Sequence, residues 1–289
     1  MRAQRIAVLC ALDKEIAEIE AALDGAERQE RYGVTIITGR RGSATVTAVV
    51  GGMGKSAAAA AAQLLIMLAQ PDVLIFTGIA GGLNPALQVS DVVIGTSLHY
   101  LETNTAIIAE CDPWLESFVS DESLVEFAER SLESLGYRRT ASLQEAHQEA
   151  LDKSSQDACP QTDSHNRQCP VAKTGEIKRD LTSHAVEECE TRHYVRGTIA
   201  TSDQFNTEAE VLDLIRSTIY ADCEEMEGAA AAHISAKNRV PFVAIRAISN
   251  QCGESYESLD EHQDALVKAA NAAAAVTLGV VNSLIQSES

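Results

Sequence analysis

Carboxylate and amide side chains stand at three points of the sequence where a predicted buried strand ends. They are Asp13 and Glu15, then Glu224, Glu225 and Glu227, and lastly Asn250. Strand ends at one edge of an open sheet are where α/β proteins place ligand-binding groups. A carboxylate can accept a proton from water, whereas an amide can donate an N–H but supplies no proton as an acid does. The pattern predicts a polar site capable of acid–base chemistry.

Two kinds of apolar pattern alternate along the chain and predict the elements that carry these side chains. Continuous apolar runs indicate buried strands, and apolar residues three and four apart indicate helices. Strands are predicted at 5–12, 34–38, 44–50, 72–77, 92–100, 194–200 and 241–248, and helices after residue 13 and at 55–68, 122–135, 227–237 and 259–286. A turn is expected at 39–42, and residues 207–210 (Thr-Glu-Ala-Glu) have the spacing of a capping box before another helix. This alternation indicates a three-layer α/β domain.

Composition limits the partners that the chain can bind. Its 289 residues and 45% hydrophobic content suffice for one domain with a sizeable core, and its net charge of −19 repels nucleic acid and anionic membranes. The first apolar run is too short for a signal sequence or a membrane span. Seven cysteines without a CxxC pair fit reduced thiols. We therefore expect a cytoplasmic protein.

Residues 139–191 differ in composition from the rest of the chain. They are rich in Ser, Gln, Asp, His and Cys with little apolar periodicity, which predicts a partly disordered surface insertion. Potential zinc ligands in or beside the segment are Cys159, His165, Cys169, His184, Cys189 and His193. No two of them have the short spacing of structural zinc sites, so we expect no metal site.

Six short segments form an ordered set of motifs that spans most of the chain outside this insertion. They are Ile6 to Glu15, Gly52-Met53-Gly54-Lys55, Thr77 to Gly82, Ser202-Asp203-Gln204-Phe205, Glu225-Met226-Glu227-Gly228 and Arg246-Ala247-Ile248-Ser249-Asn250. The set resembles the methylthioadenosine/S-adenosylhomocysteine nucleosidases of the purine nucleosidase/phosphorylase superfamily. The resemblance implies a three-layer α/β/α single domain (1–289) of the nucleoside phosphorylase type with a central mixed sheet. It also implies a purine nucleoside as partner and no cofactor.

Three residues receive catalytic roles from the resemblance. Cleavage of a purine ribonucleoside passes through a ribosyl cation-like transition state that needs an activated water, a held ribose and a stabilised leaving base. Glu15 corresponds to the carboxylate that activates water, and Glu227 to the one that holds the ribose hydroxyls. Asn250 stands where the family carries an aspartate that protonates N7.

The resemblance also implies a set of substrate-binding residues. Phe205 corresponds to the aromatic that stacks on the purine, and Met226 packs on the sugar face. Arg246 and Ser249 match positions near the catalytic water and the base. The other residues assigned to substrate binding are Met53, Ile79, Ala80, Gly81, Asn206 and Glu225.

Two residues depart from the family pattern. Asn250 can donate an N–H to N7 or to a 6-oxo group but cannot act as a carboxylic acid, so a 6-oxopurine would suit it better. Ile79 replaces a small hydroxyl residue near the water. Gly-Ile-Ala-Gly (78–81) and Ser-Asn-x-x-Gly (249–253) resemble futalosine hydrolases, which act on a 6-oxopurine nucleoside. The alternative to a methylthioadenosine/S-adenosylhomocysteine nucleosidase is therefore a futalosine hydrolase or another 6-oxopurine nucleosidase.

The same motifs bear on the choice between water and phosphate as nucleophile and on two rival classes of protein. The loop Ala11-Leu12-Asp13-Lys14-Glu15 places carboxylates where a phosphorylase would hold phosphate, which favours water as nucleophile. A Rossmann oxidoreductase would need glycines after the first strand, and Cys10-Ala11-Leu12-Asp13 has none. A non-catalytic nucleoside-binding protein stays a rival.

The resemblance implies a homodimer, with 99–114 as the candidate interface.

Overall fold

The computed structural model describes residues 1–157, 191–255 and 263–286. The strands are β1 (Arg5–Cys10), β2 (Asp24–Arg31), β3 (Val34–Arg41), β4 (Ala44–Val50), β5 (Val73–Gly82), β6 (Val92–Tyr100), β7 (Phe118–Val119), β8 (Arg138–Arg139), β9 (His193–Thr201), β10 (Ala221–Glu225) and β11 (Phe242–Gln251). The helices are α1 (Asp13–Ala21), α2 (Lys55–Ala69), α3 (Thr105–Ile108), α4 (Glu122–Ser134), α5 (Leu143–Asp157), α6 (Ala209–Thr218), α7 (Gly228–Asn238) and α8 (Gln263–Gln286).

The strands of the described residues form one mixed sheet. Its order is β10-β9-β6-β11-β5-β1-β4-β3-β2, with β7 beside β6 and β8 beside β9. β1, β4, β5 and β11 pair in parallel, whereas β6 runs antiparallel to β11. β10 also pairs with β5, through Cys223 with Gly82 and Glu224 with Gly81. This pairing closes a ring of five strands and brings the ends of β5, β10 and β11 together.

Helices cover both faces of the sheet, which confirms the predicted three-layer α/β/α single domain with a central mixed sheet. α1, α4 and α8 share one apolar core with the sheet, in which Ile16, Leu124 and Val280 are fully buried. α2 and α7 share the core on the other face, where Leu65 and Ala231 are fully buried. The continuous apolar runs of the central strands follow from this burial on both faces.

Three local predictions are corrected by the structure. β2 was missed because all eight of its residues are exposed at the sheet edge, so no apolar alternation marks it. The turn predicted at 39–42 is shorter, since β3 reaches Arg41 and only residues 42–43 separate it from β4; Gly42 takes a positive φ there. α6 begins at Ala209 after an N-cap at Glu208 that has no side-chain cap hydrogen bond, so the capping box is not formed.

The start of the polar segment 139–191 is helical. α5 occupies 143–157, and its N-terminus is held by Asp222 Oδ1, which accepts from the backbone N–H of Leu143 at 2.9 Å. Residues 158–190 lie outside the described residues, so the surface insertion stays a prediction. Of the six potential zinc ligands only His193 is described, and within the described ranges no group of three His, Cys, Asp or Glu side chains could hold a metal.

α8 is long and apolar enough, by length and composition alone, to cross a membrane. In the fold it packs against α1, α4 and the sheet, and Ala269, Val276 and Val280 are buried there. A core helix of a globular domain has this combination of an apolar composition and a packed face. Helix α8 therefore closes one layer of the domain.

Candidate active site

A cavity of about 210 Å³ lies where β5, β10 and β11 end beside the N-termini of α1 and α7. Twelve of the thirteen site residues predicted from the sequence line it. They are Glu15, Met53, Ile79, Ala80, Gly81, Phe205, Asn206, Glu225, Met226, Glu227, Ser249 and Asn250. The thirteenth, Arg246, is completely buried behind the wall. The fold thus brings together in one place motifs that are more than 200 residues apart in sequence.

Glu15 is held in the first turn of α1 by backbone donors. Its Oε2 accepts from the N–H groups of Ala11 (2.9 Å) and Leu12 (2.8 Å), and its Oε1 accepts from Ile79 N–H (3.0 Å). Only 2% of the residue is exposed. Burial raises the pKa of Glu15, while the Arg246 guanidinium and the three N–H groups act against this shift. The result is a fixed carboxylate, of raised basicity, facing the cavity.

Arg246 lies among three carboxylates. Its Nη2 forms an ion pair with Glu225 Oε2 and lies 3.5 Å from Glu227 Oε2, and the charge of Glu15 also acts on its pKa, which the carboxylates raise despite burial. The guanidinium carbon lies 3.8 Å from the centroid of the Phe76 ring. Nη1 and Nε have no hydrogen-bond partner among the described residues. The guanidinium therefore neutralises part of the charge of this carboxylate group.

Gly78 is required for this packing. A Cβ at residue 78 would overlap with Arg246 Nη1 and with Glu15 Oε1. Arg246 and Glu15 approach each other over the bare Cα of Gly78, between β5 and β11, which pair there. The glycine of the Gly-Ile-Ala-Gly segment thus has a steric role that its sequence pattern did not reveal.

Glu225 has little capacity left for a ligand. Its carboxylate accepts from Thr201 Oγ1 (2.5 Å), from the N–H groups of Glu227 (3.1 Å) and Gly228 (2.7 Å), and from Arg246. These bonds tie β10 to the start of α7. The sequence places Glu225 among the substrate-binding residues; the structure shows a carboxylate that lines the cavity while it holds Arg246 and the α7 N-terminus in position.

Glu227 connects the ion-pair network to the loop before α2. Its Oε1 accepts from Gly54 N–H at 2.8 Å, and Asp203 Oδ1 accepts from Lys55 N–H at the same distance. Burial raises the pKa of Glu227 to about 7, with Glu225 adding to the shift and Arg246 opposing it. The two carboxylates hold the loop that carries Met53, an exposed residue that lines the cavity.

A second group of polar side chains lies at the other end of the cavity. Ser249 Oγ donates to Asn250 Oδ1 (2.9 Å), and Asn250 Nδ2 donates to the carbonyl of Gln251 (3.1 Å). Both residues are buried in β11 at a register shift against β5. Phe205 is 41% exposed and lines the same cavity, so a flat ligand can reach its ring.

Glu224 lines this end too and has no role assigned by the sequence motifs. Its Oε1 accepts from Asn206 Nδ2, and Cys252 Sγ lies 3.9 Å from its Oε2. Burial raises the pKa of Glu224 to about 7, and the nearby carboxylates Glu102 and Glu225 add to the shift. The sequence marked Glu224 as a polar residue at a strand end, and its position at this edge could have been expected from that alone.

Seven further residues line the cavity without having been assigned to the site, and Asp13, one of the strand-end candidates, does not line it. The additional residues are Ala11, Leu12, Lys14, Gln204, Cys252, Gln263 and Leu266. Four of them lie inside the motifs 6–15 and 202–205 but received no role from the sequence, and the other three, Cys252, Gln263 and Leu266, were not singled out. Asp13 does not line the cavity, because its side chain points to the surface and pairs with Arg28. Lys14 Nζ donates to Gln263 Oε1 at 3.4 Å.

The family model described as the phosphorylase superfamily matches residues 5–282. This chain belongs to the phosphorylase superfamily. A curated superfamily relative, the 5′-methylthioadenosine/S-adenosylhomocysteine nucleosidase of Treponema pallidum, is 29% identical over 279 residues, which are 96% of this chain and 93% of the relative. The superfamily match agrees with the family resemblance stated from the motifs.

Solved structures share the superfamily fold over nearly the whole chain. The methylthioadenosine/S-adenosylhomocysteine nucleosidase of Neisseria meningitidis, in complex with methylthio-immucillin-A, has a TM-score of 0.72 at 23% identity and covers 97% of this chain and 100% of its own. The futalosine hydrolase of Helicobacter pylori strain 26695 has a TM-score of 0.69 at 20% identity and covers 97% and 98%. Enzymes with both names therefore have the fold seen here.

Proposed function

We propose that this chain hydrolyses the N-glycosidic bond of a purine ribonucleoside, in the manner of the methylthioadenosine/S-adenosylhomocysteine nucleosidases. The observation that carries the proposal is Glu15, a buried carboxylate that is fixed by three backbone N–H groups in the wall of a cavity that a second carboxylate, Glu227, also lines. Membership of the phosphorylase superfamily and the Treponema pallidum relative support the same class of reaction.

In this proposal Glu15 is the general base. A water bound to its carboxylate attacks the anomeric carbon as the bond to the purine nitrogen breaks, and the proton passes to Glu15. Burial raises the pKa of Glu15, so the carboxylate has a stronger affinity for that proton than a solvated glutamate. Ala11, Leu12 and Ile79 fix the carboxylate, which fixes the direction of proton transfer.

Glu227 holds the ribose. An ionised carboxylate accepts hydrogen bonds from two vicinal hydroxyl groups, and its negative charge stabilises positive charge developing on the ribosyl ring. Gly54 N–H donates to Oε1 of the carboxylate and Arg246 Nη2 lies 3.5 Å from its Oε2, so both oxygens have a fixed position. Met226, beside it in the cavity wall, offers an apolar surface to the sugar.

Water is the nucleophile in this proposal. The carboxylates of Glu15, Glu224, Glu225 and Glu227 all line the cavity, and a phosphate dianion would be repelled by them. Arg246 is already surrounded by three of these groups. Lys14, which lines the cavity, donates to Gln263. The charge distribution therefore favours hydrolysis over phosphorolysis.

The identity of the base distinguishes two candidate substrates. The nucleosidase relative points to an adenine nucleoside, with methylthioadenosine or S-adenosylhomocysteine as substrate. Asn250 favours the second candidate, a 6-oxopurine nucleoside such as futalosine, because its amide can donate to a 6-oxo group but cannot protonate N7 as an acid.

The proposal is tested by product chromatography after incubation with methylthioadenosine, S-adenosylhomocysteine, inosine and futalosine, each with and without phosphate. We expect a free purine from at least one nucleoside at a rate independent of phosphate. Release that requires phosphate would mean phosphorolysis. Binding of nucleosides without release of a base would overturn the enzymatic proposal and indicate a nucleoside-binding protein.

The assembly and location belong to the same proposal. We propose a homodimer built on 99–114, in which Trp114 is 67% and Ile107 62% exposed. Solvent-exposed large apolar side chains of this kind are typical of subunit interfaces. The expected location is the cytoplasm. Light scattering of the purified protein would contradict the dimer by giving a mass near 30.9 kDa.

A further inference from the structure

β10 carries one residue more than the segment of β9 with which it pairs. Ala221 lies opposite Thr198 and Cys223 lies opposite Ile199, so Asp222 between them has no partner in this ladder. An extra residue of this kind forms a β-bulge, and bulges next to active sites redirect the side chains that follow them. The carboxylates of the cavity wall begin two residues further along the strand. The bulge therefore lies where it can determine how those carboxylates project.

The extra residue decides which glutamate meets Arg246. With the bulge, Glu225 lies opposite Thr201, whose hydroxyl donates to its carboxylate, and Glu225 also forms the ion pair with Arg246. If the two strands ran on in step from Ala221, Glu224 would lie opposite Thr201 instead. A slip of one residue turns every side chain of a strand to the opposite face of the sheet. The ion pair behind the cavity wall therefore depends on the bulge.

The carboxylate of Asp222 holds the bulge from inside the protein. The residue is fully buried, its Oδ2 accepts from Thr198 N–H at 3.1 Å, and its Oδ1 accepts from Leu143 N–H at 2.9 Å. Asn84 Nδ2 also donates to Oδ1, at 2.8 Å. The backbone carbonyl of Asp222 accepts from the N–H groups of Leu83 and Asn84, which follow β5 directly. One residue thus ties β10 to β9, to the end of β5 and to the start of α5.

Gly197 leaves the room that this carboxylate occupies. A Cβ at residue 197 would overlap with Asp222 Oδ2. The hydrogen-bond partners of the carboxylate among the described residues are all neutral; burial raises the pKa of Asp222, and the three donors act against this shift. A buried carboxylate with neutral partners costs folding free energy, and a polar group kept at such a cost can specify one arrangement of the chain. Here that arrangement is the register of β10.

We infer that Asp222 is a positioning residue of the active site, whose buried carboxylate holds the bulge that places Glu225 against Arg246. The inference rests on the proposed function, because it concerns the same site. Asp222 does not line the cavity and acts through Glu225. Glu225 in turn accepts from the N–H groups of Glu227 and Gly228, so a displaced Glu225 would also displace the carboxylate that is proposed to hold the ribose.

Asp222→Asn is the variant that detaches the bulge from β9 alone. An amide has one acceptor oxygen, which can serve Leu143 and Asn84 as the carboxylate does. Its NH2 group then faces the N–H of Thr198, so that a donor meets a donor. The variant keeps the size of the side chain and removes a buried charge, so we expect the chain to fold.

Two measurements follow the position of Glu225. The N–H groups of residues 227–229 donate to the side chains of Glu225 and Thr201, and deuterium exchange monitored by NMR reports how well these bonds hold. We expect exchange at 227–229 to be about 10-fold faster in Asp222→Asn. For a nucleoside that the natural chain cleaves, kcat should fall about 10-fold while KM stays within about three-fold, because fixed carboxylates act mainly in the transition state.

Asp72→Asn is the matched control. Asp72 also accepts from two backbone N–H groups and one side chain, but it lies just before β5, at the end of the sheet opposite the cavity. Exchange at 227–229 and kcat should both stay within about two-fold of the natural chain. An equal change in Asp72→Asn would show that any loss of stability has these effects, and would overturn the inference.

Unchanged exchange at 227–229 in Asp222→Asn would overturn the inference whatever the rate of cleavage. If that variant does not fold, Asn84→Ala takes its place, because it removes one donor to the same carboxylate; exchange there should be about three-fold faster, and unchanged exchange has the same meaning. Failure of the proposed function appears separately, as a natural chain that cleaves no nucleoside, and the exchange rates still test whether Asp222 positions Glu225.

Discussion

The two ends of the cavity solve the problem of buried charge differently. At the sugar end, which Glu15, Glu225 and Glu227 line, these three carboxylates surround Arg246. Glu15 accepts three backbone N–H groups, and Glu225 accepts backbone, hydroxyl and guanidinium donors. At the base end, which Glu224, Ser249 and Asn250 line, the Glu224 carboxylate has an amide and a thiol as neighbours. Within the described residues it forms no ion pair. Substitutions at the sugar end should therefore affect stability and rate together, whereas those at the base end should change which base binds.

This difference follows from what each end must do. Groups that meet a developing positive charge need fixed positions before the ligand arrives, and donors from the protein provide that order. A group that selects a base gains selectivity when its missing partner comes from the ligand. The Arg246 network and Glu224 share no hydrogen bond among the described residues, so each can be changed by its own substitution.

Glu15→Gln should have the largest effect. The amide cannot accept the proton from water, so we expect kcat/KM for nucleoside cleavage to fall about 10³-fold while base binding is retained. Asp13→Asn is the control, because Asp13 lies in the same turn of α1 but pairs with Arg28 at the surface. Steady-state rates and calorimetry measure both. An equal loss in the two variants would mean that the α1 N-terminus, not the Glu15 carboxylate, limits the rate.

Arg246→Met should have the largest effect on stability. It leaves Glu225 buried without its counter-ion, and breaking a buried ion pair in this way costs about 3–5 kcal/mol of the free energy of unfolding. Urea denaturation followed by circular dichroism measures the loss. In the double variant Arg246→Met, Glu225→Met the carboxylate that forms the close ion pair is removed as well, and part of the stability should return. A double variant as unstable as the single one would locate the loss in packing against Phe76.

The pH dependence of cleavage should report Glu227. Burial raises the pKa of Glu227 to about 7, so the carboxylate loses its charge as the pH falls through that value and holds the ribose hydroxyls less well. We expect kcat/KM for a neutral nucleoside to decline below about pH 7. The decline should disappear in Glu227→Gln and persist in Glu224→Gln. Its persistence in Glu227→Gln would assign it to Glu15, whose pKa burial also raises.

Glu224→Gln should have the smallest effect on the free chain, and it should be favourable. Because the pKa of Glu224 rises from 4.5 to about 7 on folding, the folded chain binds more protons than the unfolded chain between these values. Stability therefore falls as the pH rises through that window, and the glutamine avoids this loss. Thermal unfolding should show a Tm higher by a few degrees at about pH 8 and little change at about pH 4. A lower Tm at the higher pH would contradict the raised pKa.

The fold class and most of the site could be predicted before the structure was known. Central strands are continuous apolar runs because both faces are covered, so β1, β5 and β11 are visible in the sequence. The site motifs lie at the carboxyl ends of these strands or directly after them, and these ends meet at one edge. The edge strand β2 carries no such signal, since its exposed polar residues are held only by backbone pairing with β3.

The sequence by itself determined the kinds of group available for chemistry, because Glu15, Glu227 and Asn250 keep their donors and acceptors in any fold. Only the tertiary structure decided which of them face the same cavity. Helix phase turns Asp13 outward and Glu15 inward, and the closing pair β5–β10 places Glu224 beside a residue 143 positions earlier in the chain. Side-chain direction depends on helix phase and strand register, and these are fixed by packing between distant segments.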